Sequence, residues 1–264
     1  MRQVPDNNLS AAVLLEIGNS TGSGFYFRTD KKIFLVTAKH VLFGKNSENE
    51  FLFSKFLKLT SYDKDLSKKQ PLEHLVDLSL ADIRKNDTRD IVLVELANIS
   101  PQSHKVNFCK CVQKISSQGG ELVVVNPGTL KKFDDVLISN DAFIIGFPIS
   151  LGTAQQIEEK RPLLRKGIIA GKNHKLQTII LDCPVYFGNS GGIAIEIEEV
   201  SGGKRISVIG IVSEYIPFIE ELKSKLGYTN LNFENSGYSV VVPIDTILDL
   251  TKETPITSDN KPIK

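Results

Sequence analysis

The chain has 264 residues, of which 41% are hydrophobic and 24% charged, and its net charge is +1. That length fits one all-β domain of two packed barrels with a sizeable core. The charge balance leaves no basic surplus for nucleic acid and no acidic, solvating tail, and no segment reaches the ~18 apolar residues that a membrane-spanning helix requires.

In chain order, the first apolar run (residues 11–17) follows a polar segment and is interrupted by Glu16. It reads as neither a secretory signal nor a membrane span. Short apolar runs bounded by Gly, Asn, Asp and Ser then predict strands over 11–17, 24–28, 33–37, 91–96, 122–125, 142–146, 166–170, 178–182, 192–197, 206–212 and 238–243. Many short strands separated by turn signals point to a barrel or sandwich. Helical patterns cover 218–226 (FIEELKSKL) and 244–251, the second opened by Pro243 and Asp245. Residues 45–87 and 116–141 read as surface insertions, and the polar, proline-containing tail as a frayed end.

Three cysteines, Cys109, Cys111 and Cys183, argue against a disulfide framework and agree with a reducing, cytoplasmic compartment. Cys109 and Cys111 have no matching second pair, so they read as buried thiols and not as a zinc site. No metal and no cofactor is expected.

The chemistry-bearing stretch is Gly188-Asn189-Ser190-Gly191-Gly192, between two apolar runs. A serine flanked by glycines on a strand-to-strand turn presents an unobstructed hydroxyl, and the turn can aim backbone N–H groups at one developing oxyanion. Alone, it reads equally well as a glycine-rich hairpin with an incidental serine. Such a serine needs a base. Of the four histidines, His74, His104 and His174 lie among polar residues and read as solvated loop residues, whereas His40 ends the apolar run 33–40. Asp90 opens the apolar run 90–96 and would hold the imidazole tautomer. Asp77, Asp82 and Asp87 compete on position alone.

Gly22-Ser23-Gly24-Phe25, Val36-Thr37-Ala38-Lys39-His40-Val41, Asp90-Ile91-Val92-Leu93 and Gly188-Asn189-Ser190-Gly191-Gly192 together resemble the chymotrypsin/trypsin superfamily. They come in its His, Asp, Ser order. Residues 143–148 and 237–243 resemble further strands of the bacterial trypsin-like and HtrA-like members, and 209–213 resembles the strand that pairs with the substrate backbone, so the likeness spans nearly the whole chain. It implies an all-β fold of two six-stranded antiparallel barrels with a short C-terminal helix. The implied organisation is one domain over 1–264: a first barrel over 10–117, a connection over 118–141, a second barrel over 142–243, a helix over 244–252 and a flexible tail over 253–264. With 14 residues after Leu250, no PDZ domain is expected there, since a domain needs at least ~50.

By the same resemblance, His40, Asp90 and Ser190 form the catalytic triad, and Gly188, Asn189 and Ser190 line the oxyanion hole. Pro184, Val185, Phe187, Val212, Ser213, Glu214, Tyr215 and Tyr238 bound the substrate pocket. Asn189 stands where the digestive enzymes carry an aspartate, which implies a chain active without zymogen cleavage. Pro184 stands where trypsin-type enzymes carry their specificity aspartate, and Val185 and Val212 imply a small or aliphatic residue before the cut. The leading reading is a serine endopeptidase acting on protein or peptide substrates. The alternatives are a catalytically silent scaffold on the same fold and a cytosolic effector protease held dormant until a regulatory protein partner acts. Neither nucleic acid nor membrane is an expected partner.

Overall fold

The computed structural model describes residues 4–46, 49–65, 67–68, 70–116, 120–151, 156–158, 160–223 and 227–252. The expected tail, 253–264, lies outside the described residues. The first body contains β1 (Ala12–Ile17), β2 (Ser20–Arg28), β3 (Lys32–Thr37), a single helical turn α1 (Lys39–Leu42), β4 (Phe43–Lys45), β5 (Glu50–Leu52), β6 (Phe56–Ser61), β7 (Leu72–Asp77), β8 (Ile83–Lys85), β9 (Val92–Ile99), β10 (Val106–Phe108), β11 (Val112–Lys114) and β12 (Val124–Val125). The second contains β13 (Asp141–Gly146), β14 (Leu163–Asn173), β15 (Thr178–Asp182), β16 (Ile193–Val200), β17 (Gly203–Lys223) and β18 (Thr229–Pro243), and the chain continues into α2 (Ile244–Thr251).

The second body is a closed barrel of six antiparallel strands in the order β13-β14-β15-β18-β17-β16. In the first, β9-β3-β2-β1-β6-β7 make an antiparallel path of six, and the short strands β8, β10, β11 and β12 enlarge it to a ten-stranded sheet. β12 joins β2 in parallel, so the chain returns to the first body before entering the second. β4 and β5 pair apart from both.

Period-two alternation explains how the bodies share a core. Along β13, Phe143 and Ile145 belong to the cluster that includes Phe25, Phe27 and Phe34 of the first body, whereas Ala142 and Ile144 face the interior of their own barrel. β16 repeats the pattern, with Ile193, Ile195 and Ile197 toward the first body and Ala194 inward. These strands are buried on both faces, which is why they read as near-continuous apolar runs. Burying each such isoleucine stabilises by ~1.5–3 kcal/mol. Helix α2 completes the seam by burying Ile244 and Ile247 in the shared cluster.

Two expectations are corrected. Residues 45–87 are no surface insertion, since β6 and β7 inside them are two of the six long strands of the first sheet. Polar residues on the outward face of each (LEHLVD in β7) hide the inward alternation Leu72, His74, Val76. The predicted helix over 218–226 is instead the far part of β17, as far as it is described, with 224–226 outside the described residues. Its backbone is claimed by β18, which sets Ile219 opposite Phe233 and Glu221 opposite Leu231. A ladder with a facing strand outweighs a nine-residue helical pattern that has no partner.

The connection between the bodies is fastened by a buried charge. Glu196 of β16 is fully buried and accepts from Lys131 Nζ at 2.8 Å, Asn140 Nδ2 at 2.6 Å and the Leu137 N–H at 3.3 Å. Replacing Lys131 by methionine strands that carboxylate. The expected loss is about 3 kcal/mol of unfolding free energy, read from the midpoint of urea denaturation.

Candidate active site

The side chains singled out in the sequence come from three chain segments that meet at the seam. β3 delivers the chain to α1, where Val41 and Leu42 are buried and His40 is left at the surface. Asp90 lies just before β9. Ser190 lies in the turn between β15 and β16.

Asp90 joins the first two. Its Oδ2 accepts from His40 Nδ1 at 2.7 Å, and its Oδ1 accepts the His40 backbone N–H at 3.0 Å. Ser213 Oγ donates to the same Oδ2 at 2.6 Å. With Nδ1 committed to the carboxylate, Nε2 is the ring nitrogen left to exchange protons. Burial by itself would lower the His40 pKa, but the bond to Asp90, the Asp90 charge and the Glu214 charge hold it above the ordinary 6.5. Burial would raise Asp90, and its bonds with His40 and Ser213 keep it below the ordinary 3.8. Of the competing carboxylates, Asp82 pairs with Arg84 at 3.1 Å and Asp77 with Lys55 at 3.1 Å. Asp87 lines a cavity of about 410 Å³ that also touches His40.

Ser190 Oγ donates to the Ser213 carbonyl at 3.2 Å, and among the described residues it has no bond to His40. The two share a cavity of about 460 Å³ with Asp90. Around the serine the backbone is tightly prescribed. Gly188 has φ +97°, and a Cβ there would stand 2.2 Å from the Phe147 carbonyl oxygen. Gly191 has φ +83°, and a Cβ there would stand 2.1 Å from the Ser23 carbonyl oxygen. Only glycine fits either place.

The turn also fixes which amides are available. The Asn189 N–H donates to the Tyr186 carbonyl at 2.9 Å, while Asn189 Oδ1 accepts the Tyr186 N–H at 3.0 Å. Asn189 therefore builds the turn, and its backbone N–H is not available to the oxyanion hole in which it was expected. The N–H groups of Gly188 and Ser190 have no acceptor among the described residues. The Phe187 carbonyl accepts from the Ser150 N–H at 3.3 Å. In a trans peptide this turns the Gly188 N–H the opposite way.

One residue crucial to this geometry, Ser23, carries no reactive role in the sequence reading. Its hydroxyl is fully buried, accepts the Phe147 N–H at 2.8 Å and donates to the Gly188 carbonyl at 2.6 Å. Its own N–H donates to the Ser190 carbonyl at 2.8 Å. The signal in the sequence is a serine bracketed by glycines inside a strand, a mark of close backbone approach.

The cavity beside Ser190 is walled by Val185, Phe187, Ser213, Glu214 and Tyr215, as expected, and also by Tyr186. Arg165 lies over the Tyr186 ring at 4.5 Å. The rings of Phe187 and Tyr215 meet edge to face at 6.4 Å. Three expected lining residues do not reach it. Val212 is packed in the barrel interior, Tyr238 lies on β18 opposite Asp182, and Pro184 only leads into the wall. Val212 is next to the lining residue Ser213, but alternation along β17 turns its side chain away from the cavity.

His104 lies in an exposed turn, and His174 is exposed with its ring against Phe133 at 5.4 Å. His74 corrects the expectation of a solvated loop, because the inward face of β7 buries it to 5% exposure and burial lowers its pKa. Cys109 and Cys111 sit at a turn between β10 and β11 and, with Cys183, are free thiols. Among the described residues no group of three or more His, Cys, Asp or Glu is spaced to hold a metal, and no helix is long and apolar enough to cross a membrane.

Replacing Ser23 by alanine leaves the Phe147 N–H and the Gly188 carbonyl buried and unpaired. The unfolding free energy is expected to fall by about 2 kcal/mol. Amide hydrogen exchange at residues 188–190 should quicken more than in the β13–β16 core; unchanged exchange in the turn would contradict the anchoring role.

Residues 22–210, well over half of the chain, match the family model described as a trypsin-like peptidase domain. No curated protein matches the chain. Among solved structures, Deg5 is 18% identical over 94% of this chain and 95% of its own, with a TM-score of 0.50. The HtrA-type protease AlgW, solved as a variant with a decapeptide, is 14% identical over 93% of this chain and 65% of its own, with a TM-score of 0.51. Human heparin binding protein is 10% identical over 96% and 98%, with a TM-score of 0.52. At these identities the likeness is one of fold.

Proposed function

The chain belongs to the trypsin-like peptidase domain family, and from that premise we propose that it is a serine endopeptidase with Ser190 as nucleophile, His40 as general base and Asp90 as the orienting carboxylate. The observation that carries the reading is the Asp90 carboxylate, bonded at once to His40 Nδ1, the His40 N–H and Ser213 Oγ. Such a carboxylate holds the imidazole in one tautomer and supports its cationic form during proton transfer.

Ser190 leaves the Ser213 carbonyl by rotating about χ1, a ps–ns motion that breaks one hydrogen bond. His40 Nε2 then takes its proton as Oγ adds to the scissile carbonyl. Hydrogen bonds of this kind are often unformed in free enzymes and tighten only with substrate bound. The Gly188 and Ser190 N–H groups receive the oxyanion, each donor being typically worth about 3 kcal/mol. Collapse of the tetrahedral adduct returns the proton from His40 to the departing amine and leaves the acyl-enzyme, which water cleaves by the same route.

The pocket supports a small or aliphatic residue before the cut. Val185 lines it, and the Phe187–Tyr215 pair stands at its wall. The free thiols support the reading of a reducing, cytoplasmic setting.

A fluorophosphonate probe is expected to label the protein at Ser190, with labelling abolished in Ser190→Ala. An unlabelled wild-type protein would instead favour a silent scaffold. A peptide-library profile should be led by Val, Ala or Leu before the cut, and dominance by Arg or Asp would overturn the pocket reading. Activity also has a signed pH dependence. His40 must be neutral to act as base and its pKa is held above 6.5, so kcat/KM falls with acid at a midpoint above 6.5. Glu214→Gln removes one of the charges that raise it, and moves that midpoint to lower pH. Asp90→Asn lowers kcat by about 10⁴-fold, as loss of the orienting carboxylate does in the Ser-His-Asp template.

A further inference from the structure

A cavity of about 380 Å³ lies at the β10 end of the first sheet, and it shares no lining residue with either cavity that touches His40. Its shape follows from strand register. Arg28 stands opposite Ile33, Ile33 opposite Ala97, and Ala97 opposite Phe108, so one row of facing residues crosses β2, β3, β9 and β10. Residues directly opposite one another share a side of the sheet. Val106, two residues before Phe108, lies on that side too. The segment 120–124 supplies the rest of the lining. It is held there because β12 takes the edge of β2 that β1 leaves beyond Phe25. Ile33, Val106, Phe108, Leu122 and Val124 thus give the cavity an apolar wall.

The charged groups around it are few and unmatched. Arg28 is half-buried at one end of the row, and its guanidinium makes no ion pair or side-chain hydrogen bond among the described residues. Glu121, the lining carboxylate, is exposed and forms no ion pair with it. Behind Phe108, at 5.2 Å between ring centroids, lies His74. It is buried, its Nδ1 has no partner among the described residues, and burial lowers its pKa, so it adds no positive charge at neutral pH. Arg28 is therefore the one cation lining the cavity. It is drawn partly out of water with nothing opposite it, a cost that a bound anion would offset. The planar fork of a guanidinium matches a carboxylate in particular.

We propose that this cavity binds a medium-chain aliphatic carboxylate, with the head group on Arg28 and the chain along Ile33, Phe108 and Val124. Small-molecule sites are concave and mostly apolar, with a few polar groups that fix orientation. This volume lies near the lower end of the ~300–1,000 Å³ that such sites span, which suits one chain of moderate length and not a two-tailed lipid. Glu121 at the rim opposes a doubly charged head and so favours a carboxylate over a phosphate. A neutral alcohol would leave Arg28 unmatched. The site is independent of the endopeptidase reading: Ile33 lies at the start of β3 and Ala97 near the end of β9, whereas His40 follows β3 and Asp90 precedes β9.

The test is calorimetric titration of the full chain with decanoate, octanoate, decanol and decyltrimethylammonium, each below its micelle concentration. Decanoate is expected to bind. Octanoate should bind about ten-fold more weakly, since each buried methylene contributes up to about four-fold. Decanol should also bind at least about ten-fold more weakly than decanoate, as loss of a charge-assisted hydrogen bond to Arg28 predicts. That gap should close in Arg28→Met. Val106→Trp fills the cavity from an exposed wall position and leaves Arg28 in place, and it should weaken both ligands. Decanol or decyltrimethylammonium binding as tightly as decanoate overturns the inference, as does a decanoate affinity unchanged in either variant that folds. Decanoate binding weaker than about 1 mM overturns it as well. If neither variant folds, the comparison of head groups on the wild-type protein decides.

Discussion

The site depends on one buried hydroxyl. Ser23 belongs to the first sheet, yet its Oγ bonds the backbone at both ends of the second barrel's contribution, Phe147 at the close of β13 and Gly188 just before Ser190. Its N–H and carbonyl are committed as well, to the Ser190 carbonyl and to Thr37 Oγ1. A hydroxyl is the smallest group that both donates and accepts. Glycines on either side of it let the two backbones close around it. The relay turns two packed sheets into one site, because His40 and Asp90 are held by the first body while Ser190 travels with the second.

That relay works because the seam beneath it is stiff. β13 and β16 present one apolar row to the first body and another to their own barrel. They cannot slide by one residue without exchanging the two rows. Close packing of this kind transmits displacement instead of absorbing it. The register between the bodies is therefore fixed by isoleucines far from any polar chemistry, and the polar relay only trims what the packing has already aligned.

The seam also explains what was legible in the sequence. Strands buried on both faces, such as β3, β9 and β13, read clearly because continuous apolar runs have few other meanings. β6 and β7 hide because polar residues interrupt each apolar run, Lys58, Thr60 and Ser61 in β6 and Glu73, His74 and Asp77 in β7, and some of these, His74 among them, are buried. The distal part of β17 misleads for the opposite reason: with neither face buried, no period is imposed on it, and the pairing partner that decides its structure lies several residues further along. At the site, His40, Asp90 and Ser190, the side chains proposed to react, stood out by type and order. The anchoring role of Ser23 did not, since it exists only once the two bodies have met, and Asn189 stood out for a different role from the turn-building one it has.

Electrostatics at His40 draws these threads together. Asp90 and Glu214 both favour the imidazolium, and burial opposes them. A base whose pKa rises becomes stronger and scarcer in its neutral form, and the best compromise lies near the operating pH. Asp90 is held by three bonds and contributes a fixed part of that balance. Glu214 sits on the wall of the cavity that His40 and Ser190 share. A positive charge placed beside Glu214 would offset it and draw the His40 pKa down. On the endopeptidase reading, offsetting the Glu214 charge would therefore increase the neutral fraction of the base, so the cavity wall and the proton acceptor would be coupled through one side chain.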